Sequence, residues 1–272
     1  ANGAASELAP ELFARLGAEV IATSCQPDGR NINLDCGALH VEKLRTKVIE
    51  SGAHAGVAFD GDADRAICVA ASGRVVDGDG MLLLIADALL AKGQLAVEGG
   101  EAVVVATAMS NLGLELALQK RGVKLVRAAV GDKYVLEEMI RLGAPVGGEQ
   151  SGHVIFHRYA TTGDGMLTAL RVLDVVCESG HSLDELLHDL RVYPQILVNV
   201  RVHHKRPIEE LPTVQAQVRD AMRAFEGAGR VLVRFSGTEP LARVMVEGPD
   251  LPQVKHHAQR IAQAVEMELG QA

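Results

Sequence analysis

Three carboxylates at alternate positions, Asp60, Asp62 and Asp64, follow the short apolar run Ala55–Phe59 and precede Arg65. A short apolar run of this kind reads as a buried strand. Gly61 and Ala63 keep the intervening positions small, so the backbone can fold tightly round a common point. Three carboxylates converging in water repel each other. A hard divalent cation such as Mg²⁺ takes oxygen ligands and removes that penalty. Asp60, Asp62 and Asp64 are therefore the candidate metal ligands. A solvated acidic turn is the bland alternative. A calcium loop of the EF-hand type needs Gly at its sixth position and Glu at its twelfth. Counted from Asp60 those positions hold Arg65 and Ala71, which sets that loop aside.

Two further stretches carry polar chemistry. Gly147-Gly148-Glu149-Gln150-Ser151-Gly152-His153 sets a carboxylate, an amide, a hydroxyl and an imidazole among glycines that let the backbone approach a ligand closely. That mixture of donors and acceptors suits sugar hydroxyls. His153 is a candidate proton carrier near neutral pH, although for this residue alone a structural hydrogen bond is the commoner role. The third stretch, Arg234-Phe235-Ser236-Gly237-Thr238-Glu239-Pro240-Leu241-Ala242-Arg243, follows a strand. Ser236, Gly237 and Thr238 offer hydroxyl and backbone donors, and Arg234 and Arg243 offer charge-assisted bonds to phosphate oxygens. An ordinary β-turn flanked by surface arginines is the alternative. Taken together, a metal loop, a sugar loop and a phosphate loop describe a hexose-phosphate site in a cleft between domains.

The elements that position these loops alternate along the chain. The first half reads as a helix over Leu8–Leu16, a strand at Glu19–Thr23, a helix over Val41–Ile49, the strand into Asp60, and strands at Ala66–Ala71 and Val75–Val76. The alternation restarts with a helix from Met81 and continues through strands at Ala102–Ala106 and Val123–Val126, a helix from Asp132 as N-cap, and a helix capped by Asp164. Strands alternating with helices imply βαβ units. From about Tyr193 the style changes to adjacent strands with a helix on either side. The expected fold is two tandem α/β domains with mainly parallel sheets, residues 1–78 and 79–192, followed by a small α+β C-terminal domain, residues 193–272.

The chain's 272 residues allow about two domains of ~150 residues, or three small ones. Aromatic residues are 3% and Trp is absent, which leaves little surface for stacking on nucleic-acid bases. The net charge of −8 argues against a nucleic-acid binder while leaving room for a local cationic pocket. Cys25, Cys36, Cys68 and Cys177 show no C-x-x-C spacing and suit free thiols in a reducing compartment. No basic start followed by an apolar core marks a secretory signal. The longest apolar stretch, around Met81–Leu90, is interrupted by Asp87 and is too short to span a bilayer. A cytoplasmic protein with no membrane or nucleic-acid partner is expected.

The three loops, in this order, resemble those of the α-D-phosphohexomutase superfamily. Asp60-Gly61-Asp62-Ala63-Asp64-Arg65 resembles its metal loop, Glu149-Gln150-Ser151-Gly152-His153 its sugar loop, and Arg234-Phe235-Ser236-Gly237-Thr238-Glu239-Pro240 its phosphate loop. Supporting strings are Met109–Leu114, Val130–Val135 and Thr162–Gly165. The resemblance runs through essentially the whole chain, and Gln150 is similar to the glucosamine branch rather than the mannose/glucose branch, which usually has Met or Leu there.

The resemblance implies a double phosphoryl transfer through an enzyme phosphoserine and a sugar 1,6-bisphosphate. Here that would interconvert glucosamine 6-phosphate and glucosamine 1-phosphate, a hexosamine phosphate substrate. It implies Mg²⁺ on Asp60, Asp62 and Asp64, with Arg65 beside the reacting phosphate. Glu149, Gln150, Ser151 and Gly152 would meet the sugar, His153 would be the acid/base, and Lys133 an auxiliary group. Arg234, Ser236, Gly237, Thr238 and Arg243 would grip the phosphate that is not reacting. A homodimer is compatible with the resemblance. No Ser-His pair of the family's serine-loop type occurs in these residues. The expectation is a piece corresponding to domains two to four of a longer enzyme, inactive alone. A mannose/glucose phosphomutase and a stand-alone sugar-phosphate-binding module are the alternatives.

Overall fold

A computed structural model describes residues 1–237 and 239–270. They form two compact units. The first comprises Ala1–Ser110 with Leu114–Arg191, and the second Asn111–Gly113 with Val192–Ala272. Thr238, expected in the phosphate loop, lies outside the described residues.

The first unit opens with helices α1 (Ala5–Arg15) and α2 (Glu42–Ser51), then strands β1 (Ala55–Phe59), β2 (Ala66–Ala70) and β3 (Val75–Val76). These strands form one sheet in the order β1-β2-β3. Its ladders are all antiparallel, with Phe59 opposite Ala66 and Cys68 opposite Val76. The mainly parallel pairing expected for this domain is therefore corrected. Only residues 60–65 connect β1 to β2. A parallel pair needs a crossover of about a dozen residues or more, so this short link forces neighbouring strands to run oppositely.

The strand expected at Glu19–Thr23 does not form. Its residues are largely exposed, with Ile21 50% accessible. Among the described residues, Glu19–Ala22 make no backbone hydrogen bond. Favourable residue types cannot make a strand without a neighbouring edge to pair with.

Helix α3 (Gly78–Ala91) follows, capped by Asp77, whose carboxylate accepts from the Gly80 N–H. Its Met81-Leu82-Leu83-Leu84-Ile85-Ala86 run is buried throughout. A helix apolar all round must be enclosed on all sides. One core cluster joins α3 to Cys68, Ala70 and Val76 of the first sheet, and to Val104, Ala106, Val146 and Val154 of the next. This shared helix makes two successive α/β stretches one compact unit.

The second sheet takes β4 (Ala102–Thr107), β5 (Val123–Ala128), β6 (Val146–Gly148) and β7 (Val154–Phe156) in the order β5-β4-β6-β7. Here the parallel expectation holds for β4–β5 and β4–β6, while β7 runs antiparallel to β6. Helices α4 (Leu112–Lys120) and α5 (Asp132–Leu142) supply its crossovers. Gly131, not Asp132, is the N-cap of α5, and no side chain caps that end. Gly147 and Gly148, expected as loop, lie in β6: Cβ atoms there would come within 2.8 Å of Val105 O and 2.6 Å of His153 O. Helix α6 (Gly165–Ser179) is capped by Asp164, which accepts from the Leu167 N–H, and the short α7 (Leu183–Leu186) closes the unit with a Ser182–Glu185 capping box.

In the second unit, β8 (Gln195–Arg201), β9 (Arg230–Phe235) and β10 (Leu241–Glu247) form an antiparallel sheet with β10 central. Helices α8 (Pro212–Ala224) and α9 (Leu251–Leu269) share its core through Val214, Ala221, Val254, Ile261 and Val265. The short loop between β9 and β10 makes them a hairpin, so residues at its mouth face each other in register. No helix among the described residues is long and apolar enough to cross a membrane.

Candidate active site

The three aspartates come from the turn between β1 and β2. Arg65 N–H donates back to Asp60 Oδ1 at 3.1 Å and closes that turn. Ala63 takes the left-handed conformation at φ 63, an arrangement costly for a residue with a Cβ. The neighbouring backbone holds it there: the Gly165 N–H donates to Ala63 O at 2.9 Å. One oxygen from each of Asp60, Asp62 and Asp64 lies within 4.8 Å of the others.

This geometry fits a hard divalent cation. Asp64 Oδ1 is buried with no hydrogen-bond partner. Arg65 Nε sits 3.6 Å from Asp60 Oδ2 and 3.6 Å from Asp64 Oδ1, an ion pair too long for a hydrogen bond. Burial holds the Asp60 carboxyl above its ordinary value of 3.8, and the Asp64 and Asp62 carboxylates push the same way, against the Arg65 N–H that favours its charge. A cation among these oxygens would satisfy the orphaned oxygen and relieve the repulsion.

The Glu149–His153 turn lies against this loop. Ala66 N–H donates to Gly152 O at 3.1 Å, and His153 Nδ1 is 3.0 Å from Asp64 Oδ2. Gly152 has φ 94, and a Cβ there would come within 2.0 Å of Ala66 O, so both conformation and approach require glycine. Glu149 Oε1 accepts from the Gly131 N–H at 3.1 Å, and Ser151 Oγ is 3.4 Å from Glu149 Oε2. Burial holds the Asp77 carboxyl above the ordinary carboxylate value, with the Gly80 N–H and then the Gln150 amide favouring its charge. Glu149, Gln150 and Ser151 line a groove with Asp77, Thr107, Met109 and Val130, at the C-terminal ends of β4 and β5. Ligands in open α/β sheets gather at that end of the strands.

Lys133 and His153 differ in exposure. Lys133 extends from the first turn of α5, 74% exposed, and pairs with Glu137 at 3.7 Å. His153 is only 3% exposed, with Gly163 N–H donating to its Nε2 at 2.9 Å and Asp132 Oδ2 4.0 Å from the same nitrogen. Gly131, Asp132, Gly163 and Asp164 thus support the site. They sit in two of the supporting strings, and their glycines were the visible signal.

In the second unit, Arg234 and Arg243 are direct cross-strand partners. The Nε atoms of both are buried without a hydrogen-bond partner. Burial and then the Arg243 charge push Arg234 below its ordinary value. Ser236 is 3% exposed; its hydroxyl faces Glu239, whose carboxylate also accepts from Arg243 at 3.0 Å. Gly237 is exposed, with open space where a Cβ would sit. Lys205 adds a third cation, its Nζ donating to Ser236 O at 2.6 Å. Nothing in the sequence near the loop flagged Lys205, because the contact spans 31 residues. Such a concentration of cations with unpaired donors suits an anion such as phosphate.

Similarity to known proteins is extensive. Residues 1–73 match phosphoglucomutase/phosphomannomutase alpha/beta/alpha domain II, residues 77–193 match alpha/beta/alpha domain III, and residues 197–264 match the C-terminal domain of the same family. The phosphoglucosamine mutase of Solibacter usitatus (strain Ellin6076) is 60% identical over 99% of this chain, which covers 60% of that protein. That of Koribacter versatilis (strain Ellin345) is 50% identical, with 99% and 58% covered. The chain thus spans about 60% of the length of the curated relatives it matches. Among solved structures, a Burkholderia thailandensis phosphoglucomutase/phosphomannomutase family protein superposes with TM-score 0.77 at 24% identity, covering 98% of this chain and 58% of that one. Aspergillus fumigatus N-acetylphosphoglucosamine mutase, solved with GlcNAc-6P and magnesium, gives TM-score 0.74 at 23% identity, covering 94% and 63%. Three consecutive domain matches to one family, spanning nearly all of the chain in the family's order, agree with the loops found at those positions: the chain belongs to the phosphoglucomutase/phosphomannomutase family of α-D-phosphohexomutases.

Proposed function

We propose that the chain serves a phosphoglucosamine mutase, interconverting glucosamine 6-phosphate and glucosamine 1-phosphate in the cytoplasm. In this proposal the domains divide at 78/79 and 192/193. The observation that carries the proposal is the seating of the carboxylate loop against the Glu149–His153 turn, through Ala66 N–H to Gly152 O and His153 to Asp64. A cation site and a set of sugar-hydroxyl partners then lie side by side within one compact unit. The names of the similar bacterial proteins support the glucosamine branch.

In this proposal Asp60, Asp62 and Asp64 hold Mg²⁺, which when bound supplies positive charge for the oxygens of a transferring phosphoryl group. Arg65, fixed between Asp60 and Asp64, presents its terminal guanidinium nitrogens to the same phosphoryl oxygens. Glu149 accepts hydrogen bonds from sugar hydroxyls, its orientation set by the Gly131 N–H, and Ser151 adds a hydroxyl at the same turn. Gln150 shapes the same turn, its carbonyl accepting from the Gly78 N–H at 3.0 Å. Lys133 is free to reach a ligand oxygen by releasing the exposed Glu137. In the second unit, Arg234, Arg243, Ser236 and Gly237 take a phosphate group.

The family's serine carrier is not among these 272 residues, which hold no Ser-His pair. The isolated chain should bind glucosamine 6-phosphate in the presence of Mg²⁺ by calorimetry and show no turnover, even with a 1,6-bisphosphate primer. Preferential binding of glucose or mannose phosphate would contradict the glucosamine assignment. Turnover by the pure chain would contradict the proposed need for a carrier outside it.

A further inference from the structure

We infer that Lys205 is a positioning residue that holds the Ser236–Gly237 peptide so that the Gly237 N–H is presented to a bound phosphate. This rests on the reading of the loop between β9 and β10 as an anion site. Lys205 Nζ donates to Ser236 O at 2.6 Å. That carbonyl and the Gly237 N–H belong to one planar peptide group, and no peptide bond among the described residues is cis. In a trans peptide the C=O and the N–H point in opposite directions. The ammonium on the oxygen therefore fixes the N–H on the far side, away from itself. A cation on the carbonyl also polarises the peptide and strengthens its N–H as a donor. Among the described residues the Gly237 N–H has no hydrogen-bond partner. Gly237 is exposed, with open space where a Cβ would sit. An accessible backbone donor with a fixed direction is what an anion's oxygen takes.

The backbone brings Lys205 to this carbonyl. The segment that follows β8 is tied to the far end of the loop by Val202 N–H, which donates to Pro240 O at 3.0 Å. It is tied to the end of α9 by His203 N–H, which donates to Leu269 O at 3.0 Å. Within the loop, Ser236 N–H donates to Leu241 O at 2.8 Å, and Ser236 Oγ accepts from the Glu239 N–H at 3.3 Å. The amide, the hydroxyl and the carbonyl of Ser236 are all engaged inside the protein, so Gly237 is where the loop can turn a donor outward. The work is then divided. Arg234 and Arg243 supply attraction for the anion, and Lys205 supplies the direction of a backbone donor. A charged donor suits that task, because a hydrogen bond with one ionised partner is roughly twice as strong as a neutral one.

The test uses the 272-residue chain with inorganic phosphate as the probe. In nitrogen–proton NMR of the parent, the Gly237 amide proton should move downfield saturably as phosphate is added. Lys205→Met removes the donor, whereas Lys205→Arg keeps a charged one. In phosphate-free buffer the order parameter of the Gly237 amide should fall in Lys205→Met and hold in Lys205→Arg, a change that loss of charge alone would not produce. Calorimetry should give Lys205→Met about tenfold or more weaker phosphate binding, with Lys205→Arg within about threefold of the parent. The parent titration decides even if a variant fails to fold. A Gly237 amide that does not move while phosphate binds, or one equally ordered in Lys205→Met and the parent, would overturn the inference and leave the arginine pair standing as an anion site. A parent chain that binds no phosphate would overturn the anion site and this inference with it.

Discussion

Arg234 on β9 and Arg243 on β10 are direct cross-strand partners, and the buried Nε of each lacks a hydrogen-bond partner. Like charges directly opposite across a ladder destabilise it. An anion turns that repulsion into attraction. Inorganic phosphate should therefore raise the melting temperature of the parent chain in a saturable way, as a ligand that binds only the native state must. Arg234→Gln should melt no lower than the parent in phosphate-free buffer and lose most of the phosphate-dependent rise. Differential scanning fluorimetry across a phosphate titration checks both.

Gly165 begins α6 directly beneath the carboxylate turn. A Cβ there would lie 2.6 Å from Arg65 O and 2.8 Å from Ala63 O. Gly→Ala near a helix start is often neutral or favourable, because Ala is the better helix former. Here the added methyl meets backbone that cannot swing aside. Gly165→Ala should lower stability by about 1–3 kcal/mol, the range for overpacking, and weaken cation binding by displacing Ala63 and Arg65. Urea denaturation and a Mg²⁺ titration of the variant measure the two effects.

The raised Asp60 carboxyl gives a pH dependence with a definite sign. The cation-free native chain binds this proton more tightly than the unfolded chain, whose carboxyl titrates near 3.8. The associated stability is fully present below 3.8 and is lost as pH rises through the higher native value. A bound cation requires the ionised carboxylate, so its affinity should rise with pH over the same interval. Melting temperatures with and without Mg²⁺ should diverge as pH increases from 4 toward neutrality. A gap that narrows with rising pH would contradict this.

Cys68 lies in β2 at 1% exposure, and burial pushes its thiol up to about 12. The thiolate is the reactive form, so iodoacetamide at mildly alkaline pH should modify the exposed Cys177 and leave Cys68 untouched. Peptide mass mapping should find Cys68 labelled only after denaturation.

The local parts of this site were legible in the sequence, and the contacts between its parts were not. Asp60, Asp62 and Asp64 could be read because one turn supplies all three, and Asp164 because a cap acts within three residues. The link of residues 60–65 already contained the antiparallel answer for the first sheet, since it is too short for a crossover. Glu19–Thr23 misled because its residue types favour a strand, while pairing depends on a neighbour that composition does not reveal. His153 joins Asp64 from 89 positions away, and Lys205 reaches Ser236 across 31. No periodicity or motif encodes such distances.

The most direct test of the site is a calorimetric titration of Mg²⁺ into the parent chain and into Asp62→Asn, a substitution at the most exposed of the three aspartates. The parent should bind one cation saturably at near-neutral pH. The variant, correctly folded by circular dichroism, should bind at least about tenfold more weakly, since it removes one charged ligand from the set. Equal affinities for the two proteins, or no saturable binding in the parent, would contradict the assignment of Asp60, Asp62 and Asp64 as the metal centre.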